Sequence, residues 1–190
     1  MKNPNLLNPI ESLNLISNTI NQTKENIKDQ SFYFLVWGWL VTIASFTHYL
    51  LLSYTDFLHS YLTWIIIMPI GWILTIIYSK KQLANMKYET YLDRFLKYLW
   101  IVIGISFINI IFICSFLKVI PTSLILLLAG IGTLITGLTM KFKPLTIAGI
   151  MFFAFSIVSL FVSNTETLLV NGIAIILGYL IPAYLLKKSE

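Results

Sequence analysis

The chain consists of long apolar runs separated by short polar breaks, and this pattern predicts most of its structure. The first run, residues 31–52, contains no Asp, Glu, Lys or Arg. An α-helix needs about 20 such residues to cross a bilayer core of about 30 Å. Five more apolar runs follow, so we expect an all-α, polytopic membrane protein with six transmembrane helices. The predicted crossings are residues 32–52, 61–79, 98–117, 123–140, 145–162 and 168–186.

Basic residues are divided unevenly between the two sets of loops that these crossings create. If the N-terminus is cytoplasmic, all 13 Lys and Arg residues except Lys118 lie on the cytoplasmic side. Cytoplasmic flanks of membrane proteins collect positive charge. We therefore expect three in-out-in hairpins, with both termini in the cytoplasm.

A polar N-terminal arm, residues 1–30, precedes the transmembrane domain, residues 31–190. The arm is predicted to be a cytoplasmic amphipathic helix, with Asn8 as its cap and Pro9 and Glu11 in its first turn. Its apolar stripe consists of Leu13, Ile16, Ile20, Thr23 and Ile27. Such a stripe suits the membrane surface, the inner face of the bundle or a helix of a partner protein. The sequence leaves these three alternatives open.

The loop of residues 80–97, between the second and third crossings, is also predicted to be helical. Its spacing places four aromatic residues on one face: Tyr88, Tyr91, Phe95 and Tyr98. Aromatic rings beside cationic side chains are typical of the inner headgroup layer. We therefore expect this loop to contact anionic lipids.

Local signals mark two helix starts near the end of the chain. Ser163 and Glu166 have the spacing of a capping box before the sixth crossing, and Pro144 suits the first turn of the fifth. The loops beside them are therefore expected to be tight turns.

Small residues predict which helices lie at the centre of the bundle. They are concentrated on the fourth and sixth crossings, at Gly130, Gly132, Gly137, Gly172, Ala174 and Gly178. Small side chains let helix backbones approach closely within a membrane. Gly38, Gly104 and Gly149 recur on the three outgoing helices, which suits either a repeated hairpin or the chance self-similarity of apolar sequence.

The composition agrees with a location in the bilayer. The chain is 57% hydrophobic and 11% charged, whereas soluble domains average about 45 to 50% and about 25%. The net charge of +5 alone would also suit nucleic-acid binding. Because the basic residues lie in the predicted membrane loops, direct binding to nucleic acid is not expected.

Three strongly polar side chains lie within the predicted crossings: His48, Asn109 and Asn171. Their depths allow them to line one pocket that opens to the outside. The alternative is that each bonds to a neighbouring helix and holds the bundle together. Charged residues are absent from the crossings, which argues against a proton pump or an ion-coupled carrier.

No cofactor, metal or catalytic residue is predicted. A bis-histidine haem site would need His48 and His59 to face each other at similar depth, but His59 falls in or beside a loop. The single cysteine, Cys114, is expected to be a small buried side chain. An enzyme is not favoured, because the sequence offers no activated nucleophile, metal set or acid pair.

Three segments together resemble a known family: SFYFLVWGW at the first crossing, KFKPLTIAGI between the fourth and fifth, and LGYLIPAYLLKK near the end. They are similar to a family of small multi-pass inner-membrane proteins of Bacteroidota, which have no assigned biochemical role. The resemblance implies a location in the bacterial inner (cytoplasmic) membrane. It also implies a regulatory context, since such proteins are often encoded beside small winged-helix regulators. It implies no active residues.

Two hypotheses for the function follow. The first is a non-enzymatic accessory or sensory component of the inner membrane that binds a partner or a lipid-like ligand. The second is a small transporter or channel for a neutral or apolar solute. The expected partners are membrane lipids, a cytoplasmic protein bound through the arm, or a second copy of the chain.

Overall fold

The computed structural model describes residues 9–55, 59–85 and 90–188, with side chains described from residue 29 onward. Every element in these ranges is helical, as the sequence predicts. The helices are α1 Pro9–Tyr54, α2 Leu62–Asn85, α3 Tyr91–Leu117, α4 Thr122–Thr139, α5 Lys143–Val158 and α6 Glu166–Ile175, after which a π-helical turn, Ile176–Leu180, leads into α7 Ile181–Lys188.

Five helical segments in these ranges are long and apolar enough to cross a membrane. They are Asp29–Tyr54, Leu62–Ala84, Tyr91–Leu117, Thr122–Thr139 and Glu166–Lys188. The fifth predicted crossing corresponds to α5, an apolar helix of 16 residues, about 24 Å long at about 1.5 Å per residue. It ends at Val158, where the α-helical hydrogen bonds give way to a turn in which Leu160 N–H donates to Ile157 O, three residues earlier. The all-helical architecture is confirmed, with five candidate membrane-spanning segments in the described ranges, and the six-crossing topology stays a prediction.

The first helix joins the N-terminal arm to the first crossing without interruption. α1 has 46 residues and is about 69 Å long. It begins at Pro9, as predicted, while Asn8 lies outside the described residues. The sequence has no glycine or proline between Ile10 and Trp37 that would break this helix. The expected boundary at residue 30 therefore falls inside one continuous helix.

The fourth and sixth crossings lie at the centre of the bundle, as their small residues predict. The apolar windows of α4 and of Glu166–Lys188 are 44% and 56% buried, against 6% for α2. α1, α4, α5 and the α6–α7 segment pack together, α2 packs mainly on α1, and α3 mainly on α4. The two outer helices therefore present most of their apolar side chains outward.

Glycines bring the backbones of α4 and α5 into direct contact. A Cβ atom at Gly149 would lie 2.6 Å from the backbone nitrogen and Cα of Leu134, and one at Gly137 would overlap the backbone of Thr146. Both contacts are with main-chain atoms, which cannot move aside as the end of a flexible side chain can. These two helices therefore form the tightest pair in the bundle.

An aromatic cluster joins α1, α3, α5 and the π-helical turn. The Tyr179 ring centroid lies 5.1 Å from that of Phe152 and 5.3 Å from that of Phe34, and Phe34 lies 5.5 Å from Trp100. Edge-to-face ring pairs of this kind add to the stabilisation that burial provides. Phe152 is fully buried and contacts the Gly178 backbone.

Proline accounts for the π-helical turn. Pro182 has no N–H to donate, so the regular hydrogen-bond ladder cannot continue through it. Directly before it, Ile181 N–H donates to Ile176 O, five residues earlier. Pro182 thus perturbs the hydrogen bonding of the last helical segment, whereas α2 continues through Pro69.

Contacts between helices define two ends of the bundle. At the end from which the arm extends, Gln82 of α2 donates to Asp29 of α1. At the opposite end, Trp64 of α2 donates to His48 of α1. We call these the arm end and the far end. The turn between α4 and α5, which contains Lys141, lies at the arm end.

Two predicted helix starts are confirmed. Ser163 N–H donates to Glu166 Oε2 at 3.1 Å, and Glu166 N–H donates to Ser163 Oγ at 3.3 Å, which is the expected capping box. Pro144 lies in the first turn of α5. The sixth crossing therefore begins with both reciprocal bonds of that motif in place.

The prediction for residues 80–97 needs a correction. Much of this segment belongs to the ends of α2 and α3, and α3 begins at Tyr91 rather than at residue 98. Thr90 and Asp93 form a capping box there, which fixes the start of the helix. Tyr88 lies outside the described residues, so the four-residue aromatic face stays a prediction.

Candidate functional site

His48 takes part in the contact between α1 and α2. Trp64 Nε1–H donates to His48 Nδ1 over 2.9 Å, and both side chains are partly buried. Because Nδ1 accepts this bond, it carries no proton, and a neutral imidazole then has its proton on Nε2. The Trp64 indole thus occupies one of the two imidazole nitrogens.

Asn171 takes part in the contact between α1 and α6. Its Nδ2 group donates to Ser45 Oγ over 2.7 Å, and both residues are buried. Asn171 Oδ1 and Thr42 Oγ1 are buried oxygens without a hydrogen-bond partner among the described residues. Thr42 lies three residues before Ser45 on α1, so unsatisfied polar groups are concentrated along this helix contact.

Asn109 lies on the exposed side of α3. Its Nδ2 group donates to Ile105 O of the same helix over 2.9 Å. This bond satisfies the amide locally, in the way that polar side chains in membrane helices often bond to the preceding turn. Asn109 therefore makes its hydrogen bond outside the contacts that hold His48 and Asn171.

The structure brings two of the three predicted pocket residues to the same turn of α1. His48 belongs to that turn, and Asn171 reaches it through Ser45, but they engage different neighbouring helices. We call Thr42, Ser45, His48, Trp64 and Asn171 the polar seam. Its indole, amide, imidazole and hydroxyl groups join helices together. The pocket shared with Asn109 stays a prediction.

The other predicted metal and thiol candidates lie apart from the polar seam. His59 is exposed in the turn before α2, with its ring centroid 5.8 Å from that of Tyr61. Cys114 is buried near the end of α3. Among the described residues, no group of three or more His, Cys, Asp or Glu side chains is placed to hold a metal ion.

Sequence analysis missed a second polar cluster, at the arm end. Tyr33 OH donates to Gln82 Oε1 over 2.9 Å, and Tyr78 OH and Gln82 Nε2 donate to the two Asp29 carboxylate oxygens over 3.4 Å each. Phe32 stacks on Tyr78 with a centroid distance of 3.6 Å. We call Asp29, Tyr33, Tyr78 and Gln82 the clasp.

The sequence contains a pattern from which the clasp could have been predicted. Asp29 and Tyr33 are four residues apart on α1, and Tyr78 and Gln82 are four apart on α2, so each pair shares a helix face. Both pairs lie at the arm end of the bundle. The clasp therefore fixes α1 to α2 at the point where the arm leaves the bundle.

Hydroxyl groups connect α4 and α5 at the far end. Ser123 Oγ donates to Ser156 O over 2.9 Å, and Ser156 Oγ donates to Ser123 O over 2.8 Å. These bonds join the two helices at the end opposite to the one where the glycine contacts lie. The α4–α5 pair is thus held at both of its ends.

Comparison of the chain with models of protein families found no matching family. Comparison with curated proteins and with solved structures found no similar protein. The resemblance to the Bacteroidota family therefore stays a prediction from the three sequence segments. Function has to be inferred from the chain itself.

Proposed function

We propose that the protein is a non-enzymatic integral protein of the bacterial inner membrane that recruits a cytoplasmic protein through its N-terminal arm. It crosses the membrane six times, and both termini are cytoplasmic. The observation that carries this proposal is the continuity of α1 from Pro9 to Tyr54. The resemblance to the Bacteroidota family adds a regulatory context to an accessory or sensory role.

A continuous α1 disfavours an arm that lies flat on the membrane. A helix that crosses the bilayer must turn sharply to enter the plane of the headgroups, and sharp kinks occur at proline, glycine or π-bulges. Residues 11–36 contain no proline or glycine, and α1 remains α-helical there. Residues 9–28 therefore extend away from the bilayer, over about 30 Å.

The sequence spacing of the arm supports a helical partner. A helix surrounded by water needs to bury an apolar stripe, and an amphipathic helix commonly does so in a groove or against another helix. The stripe from Leu13 to Ile27 spans four helical turns with spacings of 3 or 4 residues. This length is enough to pair with one helix of a partner protein.

Contacts of α1 inside the bundle support a sensory role. The same helix that forms the arm packs against α2, α6, α7 and the π-helical turn. The clasp adds hydrogen bonds at the junction, through Asp29 and Tyr33. A partner that pulls or turns the arm therefore acts directly on a helix that contacts several other elements of the bundle.

Site-specific photocrosslinking in living cells tests the proposal. A benzophenone amino acid replaces Ile16 or Ile20 on the stripe, or Asn18, which helical spacing places on the opposite face. We expect one discrete protein adduct from the two stripe positions, identified by mass spectrometry as the same cytoplasmic protein, and none from Asn18.

Three other outcomes would contradict the proposal. Adducts with lipid at Ile16 and Ile20 would show that the arm lies on the membrane surface. Adducts within the chain would show that the arm folds back on its own bundle. Equal amounts of adduct from the stripe positions and from Asn18 would show that the arm meets other proteins at random and has no specific binding face.

A further inference from the structure

The turn between α4 and α5 forms a shallow groove at the arm end. It has a volume of about 440 Å³ and is lined by Gly137, Leu138, Lys141, Lys143, Thr146 and Ile147. We call it the basic groove. We propose that it binds the phosphate headgroup of an anionic phospholipid, with the start of the acyl chains against Leu138 and Ile147.

Backbone geometry places two lysine residues beside this groove, whose lining is otherwise mainly apolar. Phe142 N–H donates to Gly137 O and Lys141 N–H donates to Leu138 O, which is the hydrogen-bond pattern of a Schellman turn. The left-handed position of such a turn usually holds glycine, but here it holds Lys141 with φ 54°. The chain then reverses, so that Lys141 and Lys143 both line the groove.

These two charges are available to an external anion. Both lysines are exposed, and the acidic side chains that the structure describes bond to groups outside the groove. Asp29 accepts from Tyr78 and Gln82, Asp93 from Thr90, and Glu166 from Ser163. The positive charge of the groove is therefore not neutralised by these carboxylates.

The apolar part of the groove distinguishes a lipid from a free anion. Leu138 and Ile147 are 59% and 58% exposed, one on each helix. Lysine side chains also contribute apolar stems along a surface while their ammonium groups reach polar surroundings. A phospholipid offers a phosphate to the charges and methylene groups to this apolar surface, whereas inorganic phosphate offers only the first.

The location also suits a phospholipid. The groove lies beside the ends of two apolar helices, α4 and α5, and the proposed topology puts these ends at the level where headgroups meet acyl chains. Basic residues near a membrane surface attract anionic lipids by an amount that corresponds to about fivefold in affinity per lysine. Two lysines in one groove should therefore favour an anionic over a zwitterionic lipid by about 25-fold.

Native mass spectrometry of the purified full chain tests the proposal. The probes are phosphatidylglycerol and phosphatidylcholine with the same acyl chains. The test variant is Lys141→Gln with Lys143→Gln. The matched control is Lys187→Gln with Lys188→Gln, which removes the same charge at the end of α7.

We expect the wild type to bind phosphatidylglycerol about 25-fold more tightly than phosphatidylcholine. The groove variant should lose this preference, and the control should keep it. A variant with arginine at both groove positions should also keep the preference, which would show that the loss in the groove variant comes from the missing charge and not from misfolding.

Equal losses in the groove variant and the control would overturn the proposal, as would equal binding of the two lipids by the wild type. Displacement of phosphatidylglycerol by millimolar inorganic phosphate would also overturn it, because the groove would then be a site for small anions.

Discussion

Asn171 donates its side-chain amide to Ser45 over 2.7 Å and across 126 residues of sequence. This bond joins α6 to α1 inside the bundle, where both groups are buried. Hydrogen bonds between membrane helices are worth about 0.6 to 2 kcal/mol. The bond is therefore one measurable part of what holds the first and last crossings together.

Replacement of Ser45 by alanine should lower the free energy of unfolding by about 1 to 2 kcal/mol, because the Asn171 amide stays buried without its partner. Unfolding in mixed detergent micelles, followed by circular dichroism, measures the change. Asn109→Ala is the matched control, since its amide is exposed and bonds only within α3. An equal decrease in the free energy of unfolding in both variants would show that the hydrogen bond between α1 and α6 stabilises the protein no more than the local bond within α3.

Replacement of Gly149 by alanine should destabilise the protein by about 1 to 3 kcal/mol. Its new methyl group would meet the Leu134 backbone at 2.6 Å, and main-chain atoms cannot move aside without separating α4 from α5. At Gly104 the new methyl group would meet the end of the Trp72 ring at 2.9 Å. Gly104→Ala should therefore cost less in the same unfolding assay, and the reverse order would contradict this packing.

Replacement of Lys141 by glycine should raise the free energy of unfolding by about 1 kcal/mol, because glycine adopts the left-handed backbone without steric cost. Lys118 has the same conformation, with φ 55° at the end of α3. Lys118→Gly should therefore give a similar gain. Only the Lys141 variant should also lose affinity for phosphatidylglycerol, so thermal unfolding and lipid binding together separate the two effects.

Disruption of the clasp should loosen α1 at the junction with the arm. Tyr78→Phe with Gln82→Leu removes the bonds to Asp29 and Tyr33 but keeps the ring that stacks on Phe32. Amide hydrogen exchange of peptides around residues 26–34 should become at least several-fold faster. Tyr184→Phe, which removes only an exposed bond to Trp39, should leave this exchange unchanged.

Cysteine labelling checks the proposed orientation. In a Cys114→Ser background, Lys118→Cys should react with a membrane-impermeant maleimide in intact cells. Lys81→Cys and Lys188→Cys should react only after the membrane is permeabilised. The opposite pattern would reverse the orientation that the distribution of basic residues predicts.

Much of the fold follows from local sequence signals. Apolar length predicts the helical segments, and the spacing of Ser163 and Glu166 predicts the two reciprocal hydrogen bonds in the turn that leads into α6. The end of α5 could not be predicted in this way, because Leu160 and Phe161 are as apolar as the helix before them. There the Ser159 hydroxyl bonds to Ser156 O and the chain leaves the helix.

The partners of the polar side chains could not be predicted from the sequence. Hydropathy gives the depth of His48, Asn109 and Asn171 but not the direction in which each one points. That direction depends on the packing of the bundle, which places α3 at the periphery and leaves Asn109 exposed. The bond between Trp64 and His48 likewise depends on how α1 and α2 pack.

The pairing of the first crossing with the last has a consequence for biosynthesis. α1 leaves the ribosome before α6 and α7, yet its contacts with them need residues more than 100 positions later in the sequence. Contacts between such distant residues form late, and segments that await them stay exposed. The α1–α2 hairpin therefore lacks these contacts until α6 and α7 have been synthesised, and until then the Ser45 hydroxyl has no Asn171 amide from which to accept a hydrogen bond.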